Sequence, residues 1–287
     1  MSIKIEPNKH IALLLEARSG SSLLRQYLSE ITGYYDLSEL FNHRVKRVDI
    51  SVDNEVHITY PPDGGSTLET EVEVCNRSKN YLDQLDQLTI LNKYSVFGVV
   101  INSYQTSFPE LTQLLSVRTD IQPIRIERAD LLYSFLSIAV SRKSDVWHNR
   151  TYENGTIAVN RDVAPITLPI SWIEHMLNTY ICSVNEIRKN FRDVPLIYYE
   201  QFQRTPATLM HLFTGIPEKI INHELNKFVG NYKELITNLS EVEDYYEQYA
   251  HSHSEYFPQY FDNTLGITIP ISQGRQPRNL LSLSNVS

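Results

Sequence analysis

The chain has 287 residues, of which 41% are hydrophobic and 21% charged, a composition typical of a globular protein with one large or two small domains. The formal net charge of −8 argues against nucleic acid as the main partner. Two cysteines, Cys75 and Cys182, exclude a disulfide framework and lack the spacing of metal ligands. No apolar run approaches the roughly 20 residues of a membrane span, and no signal-peptide core is visible, so we expect a cytoplasmic protein.

Apolar runs and helical patterns alternate along the chain. The runs that predict buried strands are 11–15, 96–101, 123–126 and 194–199. The patterns that predict helices are 22–31, 109–117, 131–141 and 171–191. This alternation predicts an α/β fold with a central parallel sheet flanked by helices. Ligands of such sheets bind at the carboxyl ends of the strands.

The remaining segments predict additions to this core. Alternating apolar residues at 44–60, followed by the Pro/Gly-rich turn at 61–65, predict a β-hairpin insert near 44–65. Further helices are predicted at 77–92, near 205–213 and around 218–229. The tail at 266–287 is rich in Ser, Asn and Gln and carries Arg275 and Arg278.

The first strand leads into the turn Arg18-Ser19-Gly20-Ser21-Ser22 and then into an amphipathic helix whose first apolar position is Leu23. A helix N-terminus presents unpaired backbone N–H groups and the positive end of the helix dipole, which together attract an anion. Arg18 adds a permanent charge with a forked donor group. The turn therefore predicts a phosphate or sulfate site, although an ordinary strand-to-helix turn is the alternative. No Lys follows Gly20 as a Walker A loop requires, which argues against an ATPase or kinase.

A second set of polar residues follows the third predicted strand. Arg128 comes directly after that strand, and Ser137 lies about two turns into the next helix, before Trp147-His148. An Arg at a strand end and a hydroxyl on the helix suit a second anionic group. Alternatively, Arg128 forms a surface ion pair, Ser137 bonds to its own backbone, and Trp147 belongs to the core.

Together these motifs resemble the sulfotransferases that use 3′-phosphoadenosine 5′-phosphosulfate (PAPS), and more narrowly the bacterial carbohydrate (trehalose-type) sulfotransferases. The family motif R-[ST]-G-[ST]-[ST]-L-L corresponds to residues 18–24, and its Glu-containing segment to residues 38–42. The family's Arg, helix Ser, Trp-His pair and Tyr-Glu strand end correspond to Arg128, Ser137, Trp147-His148 and Tyr199-Glu200. The resemblance implies a P-loop-containing nucleotide-hydrolase-like fold, with residues 1–287 as a single domain.

The resemblance also implies roles for individual residues. The 5′-phosphosulfate of PAPS is expected in the turn, on Arg18, Ser19, Gly20, Ser21, Ser22 and Leu23, and its 3′-phosphate on Arg128 and Ser137. The resemblance further implies that the C-terminal tail, with Arg275 and Arg278, covers the nucleotide. Glu39 and Arg18 are the implied catalytic residues, and Glu39, Phe41, Trp147 and His148 the implied acceptor-binding residues. Two departures are Ser38, where the family has Gly, and Gly98-Val99-Val100, where it often has Gly-Phe-Lys.

The residue types suit this chemistry. Because a sulfuryl group carries less charge than a γ-phosphoryl group, Arg and backbone N–H donors suffice and no metal is expected. Glu39 is the candidate base for the acceptor hydroxyl, in the loop after the first helix, with an exposed carboxylate as the alternative role and His43 and His148 as other candidate bases. The negative net charge favours a neutral small-molecule or carbohydrate acceptor. A non-catalytic nucleotide- or glycan-binding protein and a P-loop small-molecule kinase are the alternatives, and the oligomeric state stays open.

Overall fold

The computed structural model describes residues 3–15, 20–39, 47–50, 56–59, 71–100, 109–128, 131–144, 164–191, 193–202, 212–214 and 232–257. Its strands, in chain order, are β1 (Ile3–Lys4), β2 (His10–Leu15), β3 (Tyr35–Glu39), β4 (Arg47–Ile50), β5 (Val56–Thr59), β6 (Ser95–Val100), β7 (Ile121–Glu127), β8 (Leu196–Tyr198) and β9 (Phe213–Thr214). Its α-helices are α1 (Ser21–Thr32), α2 (Glu71–Ile90), α3 (Pro109–Ser116), α4 (Leu131–Ser144), α5 (Ile170–Asn190), α6 (Tyr199–Phe202), α7 (Tyr232–Leu235) and α8 (Leu239–Ser252). None of these helices is both long and apolar enough to cross a membrane.

A five-stranded parallel sheet forms the centre of the described protein, in the order β3–β6–β2–β7–β8. The central strand β2 pairs with both neighbours, so that Leu13 lies opposite Gly98 on one side and Ile124 on the other. From β2 the chain first builds the β3 side of the sheet and then crosses to β7 and β8. The prediction of an α/β fold with a central parallel sheet flanked by helices is confirmed.

The alternation of side chains along β2 divides the core between the two faces of the sheet. Ile11 and Leu13 pack with α1, whereas Ala12 and Leu14 pack with α2, α3 and α5. All four side chains are almost fully buried, as expected for a strand that is covered on both faces. A third cluster joins α4, α5 and α8 beside the sheet. The core thus fixes α1 against the strand that precedes it.

A buried histidine lies at the amino end of the sheet, opposite to the strand ends where ligands are expected. The backbone N–H of Ser95 donates to Nδ1 of His10 at 3.1 Å, and Nε2 of His10 lies 2.9 Å from the Thr89 hydroxyl. Because Nδ1 accepts, the ring is neutral with its proton on Nε2. Burial lowers the pKa of His10, and the Asp120 carboxylate nearby acts in the opposite direction.

The end of the sheet differs from the sequence-based prediction at β8. The strand predicted at 194–199 spans only Leu196–Tyr198, and Tyr199 begins the short helix α6. Pro195 has no N–H for the ladder and contributes only its carbonyl oxygen, to the Arg125 N–H at 2.8 Å. Tyr199 therefore leaves the sheet at the carboxyl end of β8.

Other predictions were wrong in detail. Phe213, expected in a helix, lies in β9, which pairs in parallel with β1. Helix α2 begins earlier than predicted and ends at Ile90, because Asn92 adopts a left-handed conformation with φ 54°.

The strands of the predicted hairpin are present as the antiparallel pair β4–β5. The helix predicted at 218–229 and the tail at 266–287 lie outside the described residues.

Candidate functional site

Gly20 starts α1 at the carboxyl end of the sheet. Its φ of 82° and ψ of 15° are left-handed, a conformation in which glycine carries no Cβ penalty. The N–H groups of Leu23 and Leu24 bond back to the Gly20 carbonyl at 3.1 and 3.3 Å, and no side chain caps the helix. The N–H groups that the start of α1 can offer to an anion are therefore those before Leu23, on Ser21 and Ser22.

The ring of Tyr199 lies directly on Gly20. A Cβ atom at Gly20 would overlap Cδ2 and Cε2 of this ring. Tyr199 is 5% exposed and belongs to the same core cluster as α1. Glycine is thus required at position 20 for two reasons, since both the backbone conformation and the close approach of Tyr199 exclude a side chain.

Arg128 also contacts the ring of Tyr199. Its Cζ atom is 4.5 Å from the Tyr199 ring centroid and 5.2 Å from that of Tyr133 on α4, within the range of cation–π contact. Burial raises the pKa of Tyr199, and the Arg128 guanidinium acts against that rise. Gly20 follows β2 and Arg128 follows the adjacent strand β7, so one aromatic ring connects the two strand ends.

The side chain of Arg128 is buried, and no described residue forms an ion pair with it. The residue is 9% exposed, its Nε atom has no hydrogen-bond partner, and no carboxylate of a described residue forms an ion pair with it. Arg125, three residues earlier, instead forms an ion pair with Glu127, which also accepts a hydrogen bond from Tyr180 at 3.2 Å. A buried cation without an ion-pair partner is costly, so Arg128, for which no described residue provides such a partner, is suited to a bound anion.

Helix α4 begins at Leu131 and carries three buried serines on one face, Ser134, Ser137 and Ser141. Ser137, predicted as a phosphate ligand, is 8% exposed and has a partner within the protein. Ser134 is 1% exposed, and its hydroxyl has no hydrogen-bond partner. Its position three residues before Ser137 is the signal by which the sequence could have revealed it.

Glu39 occupies a different element from the one expected. It is the last residue of the edge strand β3, opposite Gly98 of β6, and not part of a loop that follows α1. The register of β3 shifts between Asp36 and Glu39 by an irregularity of the bulge type. Nearby, Arg25 of α1 donates from Nε to Asp36 at 2.8 Å and has a buried Nη1 without a partner. No sequence motif indicates Arg25.

The described residues bring together Gly20 at the start of α1 and Arg128 after β7, joined by Tyr199. Ser21, Ser22 and Leu23 form the first turn of α1, and Ser21 is buried. The other predicted site residues lie outside the described residues: Arg18, Ser19, Phe41, His43, Trp147, His148, Arg275 and Arg278.

Comparison of the chain with protein-family models found no matching family, and comparison with curated proteins found no match either.

Proposed function

We propose that the protein transfers a sulfuryl group from PAPS to a hydroxyl acceptor, a carbohydrate or another small molecule. The observation that carries the proposal is the contact of one ring, Tyr199, with both Gly20 and Arg128. The start of α1 and the buried Arg128, which has no ion pair among the described residues, thus both contact this ring. Two separate anion sites suit a nucleotide with phosphates at its 3′ and 5′ ends.

The strand order of the sheet supports the more specific proposal that this α/β protein has a P-loop fold. The strand before the anion turn, β2, is central, and the chain builds outward from it in both directions. Ligands of doubly wound sheets bind where the strand order reverses, outside the carboxyl ends. Gly20 and Arg128 follow the two strands, β2 and β7, that meet at this position.

The proposed reaction is an in-line displacement at sulfur. The acceptor oxygen forms a bond to sulfur while the bond from sulfur to the 5′-phosphate oxygen breaks, which releases adenosine 3′,5′-bisphosphate. Glu39 takes the proton of the acceptor hydroxyl. Arg18 and the N–H groups at the start of α1 stabilise the charge on the leaving phosphate, without a metal ion.

The first test is calorimetric titration with adenosine 3′,5′-bisphosphate in the presence of a chelator. We expect binding that Arg128→Ala weakens about 10- to 150-fold, the loss of one or more charged hydrogen bonds. Arg142→Ala is the matched control, because Arg142 is an exposed arginine in the last turn of α4. This control is expected to bind like the wild type.

Transfer is then measured with labelled PAPS and a panel of sugars and small alcohols. Tighter binding of ATP with magnesium than of the bisphosphate would contradict the proposal and favour a kinase. Bisphosphate binding without transfer to any acceptor would favour the non-catalytic binding protein. Preferential sulfation of polyanionic glycans would contradict the expectation of a neutral acceptor.

A further inference from the structure

Arg128 is held by aromatic rings where arginines are usually held by carboxylates. The tyrosine pair consists of Tyr133, the third residue of α4, and Tyr199, the first residue of α6. The guanidinium carbon lies within 5.2 Å of both ring centroids. The two rings come from different elements, so the position of Arg128 depends on the junction of β7 with α4 and on that of β8 with α6.

Aromatic partners have an advantage over a carboxylate partner when an arginine must bind an anionic ligand. A carboxylate partner would fix the guanidinium but would also compete with an incoming anion for its N–H donors. An aromatic face attracts the cation through its quadrupole and leaves the N–H edge free. It also limits the rotamers of a long side chain before the ligand arrives, which lowers the entropic cost of binding.

We propose that Tyr133 and Tyr199 are positioning residues that hold the Arg128 guanidinium for the second phosphate of the nucleotide. This inference rests on the proposed function, because the bisphosphate is its ligand. Tyr199 also contacts Gly20 at the first anion site, whereas Tyr133 contacts Arg128 at the second. Substitution of Tyr133 therefore tests the second anion site, at Arg128, separately from the first, at Gly20.

The experiment compares adenosine 3′,5′-bisphosphate with adenosine 5′-phosphate by calorimetry. We expect Tyr133→Leu to weaken the bisphosphate about 2- to 30-fold, the range of one cation–π contact, and to leave the 5′-phosphate unchanged. Tyr133→Phe keeps the ring and is expected to bind like the wild type. Unchanged bisphosphate affinity in Tyr133→Leu, or an equal loss for both ligands, would overturn the inference.

Tyr256→Leu is the matched control. Its ring lies 5.2 Å from Cζ of Arg188 of α5, the same distance as between Tyr133 and Arg128, and its hydroxyl donates to Asn185 of the same helix at 3.2 Å. We expect this variant to bind both ligands like the wild type. A comparable loss of bisphosphate affinity in Tyr256→Leu would mean that removing any such contact loosens the protein, and would overturn a specific role for Tyr133.

A second measurement separates this inference from the proposed function. In the ligand-free protein, ring currents are expected to shift the Nε–Hε proton resonance of Arg128 upfield, and Tyr133→Leu to move it back. Absence of the resonance in Arg128→Lys assigns it. If the wild type binds no bisphosphate but this pattern is present, the proposed function fails and the aromatic positioning of Arg128 stands. A resonance at the ordinary position of arginine overturns the positioning itself.

Discussion

Substitution of Gly20 by alanine tests the close contact on which the candidate site is built. The structure provides a matched control within the same helix, because Gly33 ends α1 with φ 73° and has open space at its Cβ position. Gly20 has φ 82° and the Tyr199 ring against it. The two variants therefore share the cost of the left-handed backbone, and they differ in the overlap with the ring.

The expected loss of stability follows from these two terms. A left-handed residue other than glycine costs about 1–2 kcal/mol, partly offset by the lower chain entropy of alanine in the unfolded state. Displacing the Tyr199 ring adds roughly 1–3 kcal/mol, as overpacking of a core does. We thus expect Gly20→Ala to lose about 1–3 kcal/mol more than Gly33→Ala.

Urea denaturation followed by circular dichroism measures both losses, provided that the m-values agree. Tyr199→Ala combined with Gly20→Ala completes a double-mutant cycle, in which removal of the ring should restore most of the extra loss. Equal losses for Gly20→Ala and Gly33→Ala would refute the close approach of Tyr199. Normal binding of adenosine 3′,5′-bisphosphate to Gly20→Ala would show that the close approach of Tyr199 to Gly20 is unimportant for nucleotide binding.

Two further predictions concern titration and catalysis. The pKa of His10 in the folded protein lies below its value of about 6.5 in the unfolded chain. The contribution of His10 to the free energy of unfolding is therefore constant above pH 6.5. Below pH 6.5 this contribution falls on acidification, by at most about 1.4 kcal/mol per pH unit. Urea denaturation at several pH values should show a shallower acid slope for His10→Leu, and an unchanged slope would contradict the assignment. Glu39→Gln is expected to reduce sulfuryl transfer about 10²- to 10⁴-fold while bisphosphate affinity stays unchanged, and retained turnover would remove Glu39 as the base.

The sequence predicted the buried elements well, because their apolar patterns are dictated by burial on both faces. The helices α1, α4 and α5 and the strands β2, β6 and β7 agree with the predictions to within two or three residues at each end. Strand β3 was missed because it lies at the edge of the sheet, where Leu37 is its one buried apolar residue. Helix α8 was missed although Val242, Tyr246 and Ala250 recur at a helical spacing.

The sequence predicted less of the candidate site than of the buried helices and strands. The turn around Gly20 and the position of Arg128 after a strand were both recognised, since each is a local pattern. The contacts of Tyr199 with Gly20 and Arg128 depend on the pairing of β7 with β8, and no local pattern encodes that distance. The burial of Arg128 without an ion pair to any described residue likewise depends on the folded chain and is not visible in a local pattern.

The contact between Gly20 and Tyr199 also bears on the order in which the protein forms during synthesis. Tyr199 follows Gly20 by about 180 residues, so at 5–20 residues per second it leaves the ribosome about 10–40 s later. Until then α1 can fold against β2, but its N-terminus lacks the ring that covers Gly20. The pairing of β1 with β9 comes later still, because Phe213 follows Tyr199. A nascent chain that ends before residue 199 therefore carries the first anion site without its connection to the second.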